Sequence, residues 1–232
     1  MNKLFSREKT KFYCFTPLAS LVTFLIELVL AIYVTAKFKM SKFGRFSIFM
    51  LFLLGMFQLA EYMICKSGYP LTWAKIGFVS ITFLPVIGLG MVSIAAKKNV
   101  WSSIGYVLAI VFSLVIIFMP NIILSTSCPG KFVVFNTPDN FKHFYEIYYF
   151  GLIIIPLVVL FKERTINKPN KELFTWMLWG YASFLIPTIV IYIVEKVMRV
   201  GTISVMCGFA VLFAAILVFK ILPEYQKINK NS

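Results

Sequence analysis

The chain has a single histidine, His143, and a single aspartate, Asp139. A histidine-rich zinc hydrolase and an intramembrane protease built on an aspartate pair are thereby excluded. Its four cysteines, Cys14, Cys65, Cys128 and Cys207, form no CxxC pair and no zinc-ligand spacing. Neither a metal nor a cofactor is expected, and no nucleophile–base pair is found, so no catalytic residue is assigned. Charge is scarce as well, at 14% of residues, where a soluble domain normally has about a quarter. No long polar block occurs, so no appended soluble domain is expected. The last apolar stretch, "TISVMCGFAVLFAAILVF", lacks lysine, which excludes a retinal protein with its Schiff-base lysine in a late helix.

What the chain has in excess is apolar surface. Of its 232 residues, 60% are hydrophobic. One soluble core cannot absorb that share, because a folded surface must still be made polar. Lipid is the solvent that accepts it. The net charge of +14 comes from 23 Lys and Arg against 9 Asp and Glu. These basic residues gather at the ends of apolar stretches, where they meet anionic headgroups and set topology. The bilayer, not nucleic acid, is the expected partner.

A transmembrane helix needs roughly 17–25 mostly apolar residues. Seven stretches qualify: 15–36, 46–65, 76–96, 100–123, 144–161, 173–194 and 202–222. In lipid each backbone must satisfy its own hydrogen bonds, so each reads as a helix. The expected fold is all-α, one domain over residues 1–232, a bundle of seven transmembrane helices. The first stretch is too long for a cleaved signal peptide and is expected to stay as helix one. Only the gap over 124–143 is long; "KFVVF" with Pro129, Gly130 and Pro138 predicts a small loop with a short strand. "HFYEIYY" and "WMLW" read as interfacial aromatic belts.

Seven crossings put the termini on opposite sides. The side with the C-terminus carries thirteen Lys and Arg and the other ten, four of which (Lys3, Arg7, Lys9, Lys11) lie in the N-terminal tail. Counted over the loops, this predicts an outside N-terminus and a cytoplasmic C-terminus, in the cell membrane. The basic tail pulls the other way. Prolines Pro17, Pro85, Pro156 and Pro187 do not fall at matching places in two halves, so an internal repeat is not supported.

The polar residues inside the spans form two stripes. On helix two, Gly55, Gln58, Glu61 and Cys65 share a face; on helix one, Thr16, Ser20, Thr23 and Glu27 do. At about 1.5 Å per residue, Ser20 lies about 7 Å and Glu61 about 6 Å from the outer ends. Thr23 and Gln58 lie about 12 and 10 Å in, and Glu27 about 18 Å in, near mid-membrane. The stripes therefore match as Ser20 with Glu61 and Thr23 with Gln58. A carboxylate in hydrocarbon is costly and has to face the bundle, where it is neutral or meets a cation or donors. Lys75 and Arg199 are the candidate cations for Glu61. One reading makes Glu61, Gln58, Ser20 and Thr23 the lining of a wet, outer-facing ligand pocket with Glu27 at its floor. The other makes them polar glue between two helices.

Cys65 and Cys128 fall on the same side, and a disulfide between them would tie the long loop over the bundle; free, buried cysteines are the other reading. In helix six, Tyr181, Ser183, Pro187 and Tyr192 read chiefly as packing, with cavity lining as the second reading. Gly201 and Gly208 around Cys207 read as close helix contacts, and Lys196 and Arg199 as headgroup contacts.

"CFTPLAS" (14–20), "FQLAEYMIC" (57–65) and "WAKIGFVSITFLPVIGL" (73–89) resemble a family of small uncharacterised polytopic membrane proteins of bacteria and large DNA viruses. That family has a Cys-aromatic-Ser/Thr…Ser pattern in helix one and Gln-x-x-Glu in helix two. The tryptophan that follows the glutamate there is replaced here by Ile64 and Cys65. The resemblance implies a shared pocket and names no ligand. More loosely, the seven spans are similar to the membrane sensor regions of bacterial histidine kinases. The expected function is a sensor or permease for a small molecule or ion, using a pocket between helices one, two and three. The alternative is a structural or regulatory subunit working through helix contacts with a membrane partner or a second copy.

Overall fold

The computed structural model describes residues 17–38, 40–98, 102–128, 133–195 and 201–230. Cys14, Thr16, Pro129, Gly130, Lys196 and Arg199, all singled out above, lie outside the described residues, as does the start of the first apolar stretch.

The architecture is all-α with one small hairpin. Its elements are α1 (Pro17–Lys37), α2 (Lys42–Lys66), α3 (Pro70–Ala96), α4 (Ser102–Phe118), β1 (Ser125–Ser127), β2 (Val134–Asn136), α5 (Asp139–Ile166), α6 (Lys171–Val194), α7 (Thr202–Ile216) and α8 (Leu222–Lys230). Six of the described helical segments are long and apolar enough to cross a membrane, the last running from Thr202 through a π turn to Lys230; α4 is a shorter apolar helix.

Local chemistry sets the ends. Ser41 caps α2, its Oγ accepting from Gly44 N at 3.1 Å, which satisfies one of the orphan donors of the first turn. Pro70 opens α3, where its missing N–H costs nothing. Lys97 closes α3 in the left-handed region, with φ 53°. The apolar stretch at 100–123 overran its helix. α4 ends at Phe118 because Pro120 disfavours a helical Met119 and has no N–H to continue the ladder. At the other end of the chain the π turn, Leu217–Ile221, stands just before Pro223, whose ring and missing N–H disturb the i→i−4 pattern.

α3 is the axis of the bundle. In its most apolar 18-residue stretch 83% of residues are buried, against 22% in α1. It packs on α2, α4 and α5; α6 joins α5 to α7, and α7 closes on α1 and α2. Gly90 permits the close approach of α2 and α4 to α3. A β-carbon there would stand 2.5 Å from the Phe46 ring and 3.0 Å from the Tyr106 hydroxyl. Outward faces are apolar, with Val29 and Ile32 on α1, Val107 and Val111 on α4 and Ile154 and Val158 on α5 exposed, as helices bounded by lipid require.

The tyrosines of "HFYEIYY" turn inward instead of lining the interface. Tyr145, Tyr148 and Tyr149 are buried, while Phe144 and Ile147 face out. Thr82 Oγ1 donates to Phe78 O at 2.7 Å, so the 3.1 Å contact with Tyr145 makes the tyrosine its donor. Tyr148 donates to the Thr82 carbonyl at 2.6 Å. Pro85, three residues on, loosens the helix ladder at that turn, and α5 thus supplies hydroxyls to it. Trp179 on α6 does face outward.

Candidate functional site

The stripes of α1 and α2 meet as their spacing predicts at one level and not at the next. Ser20 Oγ donates to Glu61 Oε2 at 3.2 Å. Thr23 instead donates to its own helix, at Ala19 O (2.9 Å), and Gln58 Nε2 has no partner. Threonine in a helix can always turn its hydroxyl back on the preceding turn, and here that local bond wins. Glu27 sits on the bare backbone of Gly55, where a β-carbon would be 3.7 Å from its Oε2. Glu27 and Glu61 are close enough to interact electrostatically.

α7 also borders this site, packing on both α1 and α2. Ser204 of α7 is buried and gives its proton to Val133 O at 3.0 Å. Cys207, one turn further along α7, is near both carboxyls. Nothing in the sequence of α1 and α2 announces this wall. Its signal is Ser204 and Cys207 at a spacing of three on an otherwise apolar helix.

The cluster is buried. Glu27 is 0% exposed, Gln58 1%, Glu61 4% and Ser20 8%. An open, wet pocket is therefore not what these residues line. The hairpin stands above them. Cys128 is joined to Cys65 by a disulfide, β1 and β2 pair antiparallel with Thr126 opposite Phe135, and the Phe135 ring meets Phe78 edge-on at 5.0 Å. The Val133 carbonyl takes the Ser204 proton. The loop is thus fixed to α2, α3 and α7 at separate points.

Among the described residues neither carboxyl has a cation. Lys75 donates to Ile117 O at 2.8 Å, where it satisfies an end carbonyl of α4, and not to Glu61. Among the described residues the buried acid that is paired is Glu163 on α5, held by Lys98 after the end of α3. The sequence reading passed over that pair, because "KK" and "KERT" look like ordinary basic turns. Both oxygens of Glu27 and Oε1 of Glu61 have no hydrogen-bond partner. No protein-family model matches the chain, and no curated protein matches it. The resemblance over residues 14–90 rests on its quoted motifs alone.

Below the carboxyls lies an apolar cavity of about 50 Å3 between α2, α3, α5, α6 and α7. Leu54, Leu84, Tyr149, Tyr181, Cys207 and Phe213 are among its walls. Tyr181 is the helix-six residue that reaches it along with Phe184, whereas Ser183 bonds back to Gly180 O. Cys207 borders both the cavity and the carboxyl pair.

Proposed function

We propose that the protein is an integral membrane protein that binds a small ligand or ion between α1, α2 and α7, as a sensor or permease. One observation carries this reading. Glu27, ten residues into α1, is fully buried with both carboxyl oxygens unpartnered. Polar glue would satisfy its own atoms, since an unmade bond in a buried group costs about 1–3 kcal/mol. A group kept at that cost is suited to bind something that comes and goes. On this reading Ser20, Gln58 and Glu61 shape the site, and Thr23, bonded back to Ala19 O, stands outside it.

The test is a melting curve of the purified protein in detergent across pH 5–9 and with sodium, potassium and ammonium salts. A ligand that binds only the folded form raises the melting temperature by mass action. Wild type should respond to pH or to one cation, and Glu61→Gln should fold but lose most of that response. Flux in liposomes then separates permease from sensor. A protein indifferent to every condition, purified with a stoichiometric partner, would favour the structural-subunit reading instead.

The same proposal includes seven crossings, with the hairpin outside and the C-terminus in the cytoplasm. Loop charge supports it, and so does the disulfide, which persists in an oxidising compartment. Ser125→Cys should be labelled by an impermeant thiol reagent from outside intact cells, and Asn167→Cys only after lysis. The reverse pattern would place the carboxyl site toward the cytoplasm.

A further inference from the structure

The carboxyl site and the apolar cavity are neighbours along α2: Glu27 lies against Gly55, and Leu54 beside it lines the cavity. On α2, Met50, Leu54, Gln58 and Glu61 follow one another at spacings of four, four and three, and therefore share a face. Met50 and Leu54 line the cavity, and Glu61 reaches the carboxyl site. On α7, Ser204 and Cys207 stand one turn apart, and Cys207, Ala210 and Phe213 line the cavity. α2 thus carries one face from a polar end to an apolar end, and Cys207 of α7 stands at the cavity beside it.

The polar end presents three partnerless acceptors, Glu27 Oε1, Glu27 Oε2 and Glu61 Oε1. An alkylammonium group has three N–H donors and no acceptor. Gln58, whose Nε2 is also partnerless, can donate to a carboxylate or, turned over, accept from the ligand. The apolar end has Tyr149, Tyr181, Phe184 and Phe213 among its walls, a lining that suits an alkyl body. We infer that this site takes a small aliphatic amine in its protonated form, with the ammonium on the Glu27 carboxyl, on the side toward Glu61, and the alkyl body in the cavity beside Cys207. This rests on the ligand-binding reading above and names the ligand class. A cavity of roughly 150 Å3 holds benzene. One of about 50 Å3 suits a chain of about two to four carbons and no ring.

Charge balance sets the exchange. With no cation beside them among the described residues, two buried carboxyls are least costly as neutral acids. When an alkylammonium enters, one of them gives up its proton, and carboxylate and ammonium remain as a neutral pair beside the second acid. One proton leaves for each amine bound. The other titratable groups on this side are the Cys207 thiol of α7 and Tyr149 of α5, which share the cavity wall. Among the described residues no ion pair reaches Glu27 or Glu61 from α1, α2, α7 or the hairpin.

The experiment titrates the full chain in weakly buffered detergent with ammonium and with methyl- to hexylammonium chloride, reading proton release by dye and melting temperature in parallel. Affinity should rise about fourfold per methylene, peak at a short chain and then fall. About one proton should appear per amine, and n-butanol should release none. Ala210→Leu should move the peak to a shorter chain. Glu27→Gln and Glu61→Gln should each weaken binding at every length by tenfold or more. Equal responses to ammonium and butylammonium, unmoved by Ala210→Leu, would overturn the inference and leave a plain cation site. No proton release and no melting shift with any cation or pH would overturn this inference and the ligand-binding reading together.

Discussion

Replacing Glu27 by Leu is expected to raise thermal stability and to erase the response to ions. Leucine has nearly the same bulk, and the site around Glu27 gives its carboxyl no hydrogen bond. The substitution therefore loses no native contact of the polar atoms and removes two buried, unsatisfied oxygens. Relief of about 1–3 kcal/mol is the scale for one such group, in line with apolar replacements of buried polar groups elsewhere. A loss of stability would show that a partner, water or proton-sharing contact holds Glu27 in place, which is the glue reading. Stability gained with the ion response intact would move the site to Glu61 alone. Both outcomes are read from melting curves of the variant with and without ammonium salts.

The second large effect concerns the hairpin. Cys65 and Cys128 close a loop with a sequence separation of 63. Chain-entropy reasoning sets the stabilisation from such a closure at about 4 kcal/mol. That figure is a ceiling here, because the helices between the two cysteines stay inserted when the tie is cut. Cys65→Ser combined with Cys128→Ser should lower the melting temperature and make the segment 124–138 a protease site. The bundle should keep its helix content. Non-reducing mass spectrometry of wild type should find the two peptides linked. Two free thiols, with the segment still protected, would leave Phe135 and the Ser204–Val133 bond as the whole attachment.

How much of this was legible in one dimension follows from what each signal measures. Periodicity and a rise per residue place groups along a helix, and they put Ser20 opposite Glu61 because both lie a turn or so from a helix end. They do not say which further helices come up to the pair, so the approach of α7 was missed. The tyrosines of α5 were misplaced for a related reason. An aromatic near a span end satisfies both the interface and the interior, and the partner that decides, Thr82, is 63 positions away from Tyr145. Thr23 failed at shorter range, since the backbone carbonyl one turn back is always within its reach. The overrun of α4 was avoidable, as Pro120 stands in the sequence.

The ring formed by α1, α2 and α7 also has a meaning in time. The ribosome delivers Glu27 and Glu61 early and Ser204 more than 140 residues later. Until α7 arrives, two carboxyl side chains and an amide sit in the nascent membrane without the wall that shelters them. A chain stopped before α7 is therefore expected to hold these groups at a cost that the last long helix, packing on α1 and α2, removes.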